Sequence, residues 1–72
     1  MDMRKLVGNN ARRIRLAKGL TQEEFAERSG FSQQYISALE RGLRNPTVVS
    51  IFELSQGLGV HYLDLLQTDK RR

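Results

Sequence analysis

The sequence predicts an all-α fold, a compact domain of five short helices around one core. Three observations favour it: apolar residues recur at helical spacing, capping residues and glycines delimit the helical segments, and no segment alternates as a strand does. A chain of 72 residues has no room for a second core. We therefore expect residues 1–72 to form a single domain, with a polar, basic tail over residues 67–72.

The first two helices are delimited by glycines and by one capping motif. The first is predicted over residues 4–18, with Gly19 at its end. Thr21 is expected to cap the second helix and to form, with Glu24, the capping box T-x-x-E. Gly30 would end that helix. Along the first helix, one apolar stripe is expected to face the core, formed by Leu6, Val7, Ala11, Ile14 and Ala17.

The last two helices follow a loop that ends at Pro46. Thr47 is expected to cap the fourth helix and Gly59 to end it. A last short helix is predicted over residues 61–66. The fourth helix is expected to turn six side chains inward: Val48, Ile51, Phe52, Leu54, Ser55 and Leu58.

Residues 22–39 have the spacing of two short helices that cross closely. Ala26 is small enough for the backbones to approach, and Gly30 tolerates the positive φ of the bend. Ile36 and Leu39 would anchor the second of the two helices. This pattern is typical of the helix-turn-helix, here about residues 21–41, which inserts its second helix into the major groove of DNA.

The third helix, predicted over residues 33–41 behind a Ser32 cap, would bury Tyr35, Ile36 and Leu39. Its opposite side is short, polar and rich in amides. A glutamine can bridge N6 and N7 of adenine, and a short side chain can meet a thymine methyl. An ordinary polar surface that holds two glutamines is the alternative interpretation. The residues expected to read bases are Gln33, Gln34, Ser37 and Ala38.

Two further groups of residues are candidates for contacts with the DNA backbone. Three lie at predicted helix N-termini, where free N–H groups and the helix dipole favour an anion: Thr21, Gln22 and Ser32. Three more follow the third helix and could contact phosphates on its flank: Arg41, Arg44 and Asn45. Ordinary solvated loop charge is the alternative interpretation of this second group.

Glu40 lies at the edge of the buried stripe of the third helix, one turn after Ile36. A half-buried carboxylate is costly without a cationic partner. Arg15 flanks the apolar stripe of the first helix. The sequence therefore predicts an Arg15–Glu40 ion pair between the first and third helices.

Charge and composition exclude several classes of function. Twelve Lys and Arg residues outnumber eight Asp and Glu residues, and the net charge of +4 suits a polyanionic partner without establishing one. With no cysteine and one histidine, His61, the chain lacks the residues for a metal site or a catalytic dyad. We therefore expect no enzymatic activity, metal or cofactor. No apolar run is long enough for a signal peptide or membrane span, which predicts a cytoplasmic protein without membrane contact.

Three segments resemble the lambda repressor and Cro-like helix-turn-helix family, also called the xenobiotic-response-element family of transcriptional regulators. They are RRIRLAKGLTQEEFAERSG, FSQQYISALERGLRNPT and FELSQGLGV, and the resemblance spans about residues 6–66. It implies that Gln22 and the loop after the third helix hold phosphates and that Gln33 and Gln34 read bases. It also implies a homodimer on an inverted repeat of double-stranded DNA, often as a repressor. Ser29 replaces an apolar residue of the family, which is expected to thin the core.

The last short helix is very apolar for its length. One interpretation is that its large apolar residues are core or singly exposed side chains. The other is a two-fold dimer contact, which would place two recognition helices about 34 Å apart, one turn of DNA. The residues of this candidate interface are Tyr62, Leu63, Leu65 and Leu66.

A protein-interaction module, antitoxin-like or bridging, is the main alternative function, because the apolar last helix would suit a protein partner. The amide-rich side of the third helix and its flanking arginines speak against this as the sole role. Non-specific nucleic-acid packaging is the least favoured of the alternative functions. It would need basic residues over the whole surface, whereas four glutamates cluster within residues 23–40.

Overall fold

A computed structural model describes residues 1–68 and contains four α-helices and one 3₁₀ turn. The helices are α1 (Met3–Ala17), α2 (Gln22–Ser29), α3 (Gln33–Glu40) and α4 (Val48–Leu58), and the 3₁₀ turn spans Tyr62–Leu65. No strand occurs in this part of the chain, so the predicted all-helical fold is confirmed. Within residues 1–68, none of the helices combines the length and the apolar character needed to cross a membrane.

The last element is a single 3₁₀ turn rather than the fifth helix expected there. Its hydrogen bonds span three residues, as from the Asp64 N–H to the His61 carbonyl at 2.9 Å. The side chain of Asn10 in α1 forms hydrogen bonds with two backbone carbonyls at the end of this segment. Its Nδ2 donates to the carbonyls of Leu65 and Gln67 at 2.8 and 2.9 Å. The turn therefore ends against α1 instead of continuing as a helix.

Capping residues delimit the helices largely as predicted. Thr21 and Glu24 form both arms of the capping box: the Thr21 hydroxyl oxygen accepts from the Glu24 N–H at 3.0 Å, and the Glu24 carboxylate accepts from the Thr21 N–H at 2.8 Å. Ser32 and Thr47 cap α3 and α4 through their hydroxyl oxygens. α1 begins one residue earlier than expected, because the Asp2 carboxylate accepts two N–H groups of its first turn.

The core is enclosed by the four helices and by the 3₁₀ turn, which packs against α1 and α4. Its buried apolar residues are Val7, Ala11, Ile14, Leu20, Phe25, Ala26, Ile36, Leu39, Leu54, Leu58 and Leu65. The expectation that Ala17 joins this core is wrong, since it is exposed. The buried stripe of α1 ends at Arg15, and the helix itself ends two residues later, before the chain turns toward α2.

The inward side of α4 is narrower than the sequence pattern predicted. Leu54 and Leu58 are fully buried, and Ile51 is half-buried. Val48 and Phe52 are 84% and 46% exposed, so their assignment to the core is wrong. At 100° per residue, both lie to one side of the arc that Leu54 and Leu58 define. They contribute to the outer surface of the molecule.

Two glycines allow the helices to approach closely. A Cβ at Gly8 of α1 would overlap the Leu39 carbonyl of α3, and a Cβ at Gly57 of α4 would lie 2.7 Å from the Cβ of Ser29 in α2. The Ser29 hydroxyl donates to the carbonyl of Phe25 at 2.8 Å. The expectation that Ser29 thins the core is wrong, because the backbone of α4 fills the space beside this small side chain.

Candidate nucleic-acid interface

α3 turns one side toward solvent and buries the other. The four residues predicted to read bases share the side opposite Ile36 and Leu39, namely Gln33, Gln34, Ser37 and Ala38. Gln33 and Gln34 are exposed at the start of the helix, whereas the two shorter residues are half-buried. Among these four residues, the two glutamines are therefore the ones that are freely accessible to a ligand.

The structure brings Arg15 and Glu40 together as a bidentate ion pair between α1 and α3. Arg15 Nε lies 2.7 Å from Glu40 Oε2, and Arg15 Nη2 lies 3.0 Å from Glu40 Oε1. Arg15 Nη1 also donates to the carbonyl of Leu20 at 2.9 Å. The two residues are only 8% and 6% exposed, so the pair lies in the interior. It fixes the C-terminal end of α3 against α1.

A chain of side-chain hydrogen bonds continues from this ion pair to the start of α3. Gln22 Nε2 donates to Glu40 Oε1 at 3.0 Å, and Gln22 Oε1 accepts from Gln33 Nε2 at 3.3 Å. Because a carboxylate only accepts, each amide along the chain has one orientation. The carbonyl oxygen and the second N–H of Gln33 are left for a ligand. These are the two groups that a glutamine uses on adenine.

The candidate phosphate contacts at helix N-termini lie in different surroundings. Thr21 and Gln22 line, with Gln33, a shallow groove of about 610 Å³ beside α2. The Thr21 N–H already donates to Glu24, so only the hydroxyl of Thr21 can donate to an anion. Ser32 is exposed, and its hydroxyl oxygen accepts from a backbone N–H of α3 while its own proton stays free to donate.

The loop between α3 and α4 carries the remaining candidate contacts. Arg41 is the C-cap of α3 rather than its last residue, and Arg41, Arg44 and Asn45 are all exposed. Gly42 has a φ of +78°, and a Cβ there would lie 2.8 Å from Cγ of Lys5. The fold thus adds Lys5 to this basic loop. No sequence pattern pointed to Lys5, because it lies far from the loop in the sequence.

Tyr35 connects α3 to the same loop. Its ring stacks on Phe31, with centroids 4.5 Å apart and planes at 16°, and Cζ of Arg44 lies 4.8 Å from the Tyr35 centroid. Burial raises the pKa of the Tyr35 phenol, and the charge of Arg44 opposes this effect. The phenol is therefore neutral at physiological pH. The sequence pattern assigned Tyr35 only to the buried side of α3 and missed this contact.

A second candidate surface is apolar and is formed by α4 and the 3₁₀ turn. Six residues line a groove of about 420 Å³, here called the apolar patch: Val48, Val49, Ile51, Phe52, Tyr62 and Leu66. Leu63 is also exposed. The assignment of Leu65 to a dimer interface is wrong, because Leu65 is fully buried in the core and cannot contact a partner.

Two further predictions concern the tail and metal ligands. The basic residues Lys70, Arg71 and Arg72 of the predicted tail lie outside the described residues. Among residues 1–68, no cluster of three His, Cys, Asp or Glu side chains has the arrangement of a metal site.

Both the sequence and the fold of this chain are similar to those of known proteins. Residues 12–65 match the helix-turn-helix family. An uncharacterized HTH-type transcriptional regulator of Sinorhizobium fredii is 65% identical over 66 residues, covering 92% of this chain and 86% of the relative. The control protein C.BamHI of Bacillus amyloliquefaciens is 41% identical over 66 residues, covering 90% of this chain and 82% of the relative. The solved structure of the restriction-modification controller protein C.AhdI of Aeromonas hydrophila is similar with a TM-score of 0.82 at 37% identity, over 86% of this chain and 94% of that chain.

Proposed function

The chain belongs to the helix-turn-helix family of DNA-binding transcriptional regulators, and on that basis we propose that it is a homodimeric repressor that reads an inverted DNA repeat through α3. The observation that carries this proposal is the exposed glutamine pair at the start of α3, on a helix fixed from behind by a buried ion pair. Relatives named as control and controller proteins support a regulatory role.

Base reading is assigned to the outer side of α3. Gln33 offers an acceptor and a donor in the arrangement that matches adenine in the major groove. Gln34 is also exposed and can contact a neighbouring base. Ser37 and Ala38 are short, so they bring the helix close to the groove floor and suit contacts with a base edge or a thymine methyl.

Phosphate contacts are assigned to two regions on the flanks of α3. Gln22, Ser32 and the Thr21 hydroxyl lie at the N-termini of α2 and α3, where the helix dipoles favour an anion. The exposed loop after α3 supplies cationic and amide donors, and Lys5 lies beside it. The loop donors are Arg41, Arg44 and Asn45.

Dimerisation is assigned to the apolar patch with Leu63 at its side. Val48, Val49 and Leu63 are each more than half exposed, and Phe52 and Tyr62 are 46% and 44% exposed. A cluster of exposed apolar side chains on so small a domain favours association. A second copy related by a two-fold axis would cover the same residues on both molecules and would present two α3 helices to successive major grooves.

In vitro selection from a randomised duplex library tests the function as a whole. We expect enrichment of an inverted repeat whose half-site centres are about 34 Å apart, one turn of DNA. Enrichment of a single half-site would leave DNA reading intact and contradict the dimer. No enrichment, with weak and salt-sensitive binding only, would contradict sequence-specific reading.

The role of Gln33 can be tested on the selected site. Gln33→Ala should cost about 1–3 kcal/mol of binding free energy for that site and remove the preference at one base pair of each half-site. The matched control is Gln56→Ala, which removes an exposed glutamine of α4. Unchanged base preference in Gln33→Ala, measured by a second round of selection, would show that this glutamine does not read a base.

A protein-interaction module remains the second candidate, and the apolar patch is the observation that favours it. A purified chain that stays monomeric at micromolar concentration and selects no DNA sequence would move this candidate into first place. Both roles are compatible, because the apolar patch and the outer side of α3 belong to different elements.

A further inference from the structure

We propose that Tyr35, supported by Phe31, is a positioning residue that holds the Arg44 guanidinium ready to bind a DNA phosphate beside α3. This inference rests on the proposed DNA-binding function. It assigns a role to two aromatic residues that are not in the proposed base-reading set, and it explains why Arg44 of the loop after α3 lies on the Tyr35 ring.

The two aromatic residues form a fixed platform. Phe31 directly precedes the Ser32 cap of α3, and Tyr35 follows one helical turn later, so the two side chains meet at the spacing of four residues. Their rings are nearly parallel, at 16°, with centroids 4.5 Å apart. Both residues are half-buried and pack against the core. The Tyr35 ring therefore has little freedom to reorient.

Arg44 is held by this platform rather than by a carboxylate. Its Cζ lies 4.8 Å from the Tyr35 centroid, within the range of a cation–π contact. The ion pairs among residues 1–68 join Arg4 to Asp2 and Arg15 to Glu40, and neither includes Arg44. A guanidinium that stacks on a ring keeps its in-plane N–H groups free. Those groups suit the bidentate binding of a phosphate.

A loop arginine that already stacks on a ring loses less rotamer freedom when it binds a phosphate. A free arginine loses rotamer freedom when it binds a phosphate, which lowers affinity. The Tyr35 ring removes part of that freedom in advance, so Tyr35 contributes to affinity without contacting DNA. Because phosphates carry no sequence information, the contribution should be equal for all sequences.

A double-mutant cycle on the selected duplex tests the proposal. Tyr35→Leu should weaken binding about two- to fivefold, the equivalent of an exposed cation–π contact, with unchanged base preference. In an Arg44→Met background, Tyr35→Leu should have no further effect. Arg44→Met should lower the slope of log affinity against log salt by about 0.9 for each phosphate that the protein no longer neutralises, whereas Tyr35→Leu should leave the slope unchanged.

Two controls separate positioning from other roles. Tyr35→Phe keeps the ring and should bind as the wild type does. A loss equal to that of Tyr35→Leu would assign the effect to a hydroxyl contact and overturn the proposal. Arg44→Lys, on an exposed loop, keeps the charge without the planar group. It should weaken binding by the same two- to fivefold, about the value of the lost cation–π contact, which keeps the proposal testable if Tyr35→Leu does not fold. Wild-type affinity in Arg44→Lys would overturn the proposal.

A measurement on the free protein separates this inference from the proposed function. In NMR spectra, the Arg44 δ protons should show a ring-current shift that Tyr35→Phe retains and Tyr35→Leu abolishes. If the wild type binds its selected duplex but the cycle is additive, the positioning role is wrong and the DNA-binding function stands. If the shift is present but no duplex is bound, the proposed function fails, and the phosphate role fails with it.

Discussion

At the scale of single residues, Glu40 accepts hydrogen bonds from donors on two other segments. Arg15 Nε and Nη2 reach it from α1, and Gln22 Nε2 reaches it from the start of α2. The same carboxylate therefore fixes α3 in the core and orients the amides that lead to Gln33. A buried ion pair of this kind need not add net stability, but breaking one side of it is costly.

Glu40→Gln should lower the free energy of unfolding by about 3–5 kcal/mol, because Arg15 would remain buried without an opposite charge. Urea denaturation followed by circular dichroism measures this change. Glu23→Gln, at an exposed carboxylate of α2, should have no such effect. Replacing both partners by apolar residues, as Arg15→Met with Glu40→Leu, should recover much of the stability. A Glu40→Gln protein as stable as the wild type would contradict the importance of the pair.

At the scale of secondary-structure elements, the 3₁₀ turn depends on a residue of α1. It is too short to be stable by itself, and it lies on the molecule through buried Leu65 and the two hydrogen bonds from Asn10 Nδ2. Asn10 is 7% exposed, and its carbonyl oxygen accepts from Arg13 at 3.2 Å. Because the oxygen of the Asn10 amide accepts from Arg13, its NH₂ group faces the 3₁₀ turn.

Asn10→Asp should therefore detach the turn, because a carboxylate has no donor for the two carbonyls. We expect a loss of about 1–3 kcal/mol per carbonyl left without a partner, and faster hydrogen exchange in residues 62–66 than in α2. The matched control is Asn9→Asp at the exposed neighbouring position, which should leave exchange unchanged. Equal exchange in both variants would mean that Asn10 does not hold the turn.

At the scale of the whole molecule, the apolar patch sets the predicted oligomeric state. Phe52→Glu places a charge at a 46% exposed position on the patch and should yield a folded monomer. Sedimentation velocity should then show the monomer mass at concentrations where we expect the wild type to sediment as the proposed dimer. Leu16→Glu changes another exposed apolar residue, 51% exposed on α1, and should leave the mass unchanged. A dimeric Phe52→Glu protein would place the interface elsewhere.

Local signals predicted much of this fold from the sequence. Capping at Thr21, Ser32 and Thr47 depends on neighbouring residues, so the starts of α2, α3 and α4 could be read directly. The width of a buried arc depends on the other helices, which is why helical spacing alone wrongly assigns Val48 and Phe52 to the core. The position of the 3₁₀ turn depends on two long-range hydrogen bonds from Asn10, which no periodicity can reveal.

Some features of the candidate site could likewise be predicted from the sequence, and others could not. The outer residues of α3 follow from helical spacing alone, and the partner of Glu40 follows from the cost of burying a charge. The aromatic contact with Arg44 and the position of Lys5 beside Gly42 arise only when the α3–α4 loop packs against other elements. The residues next to Arg44 and Lys5 in the sequence form no pattern that predicts either contact.

The way α3 is delimited makes this domain a scaffold for engineering. Ser32 starts the helix, Gly42 follows its end with a φ of +78°, and Ile36 and Leu39 anchor it in the core. None of these residues belongs to the outer side of the helix. A library varied only at Gln33, Gln34, Ser37 and Ala38 should therefore consist largely of folded proteins, from which domains with altered operator preferences can be selected.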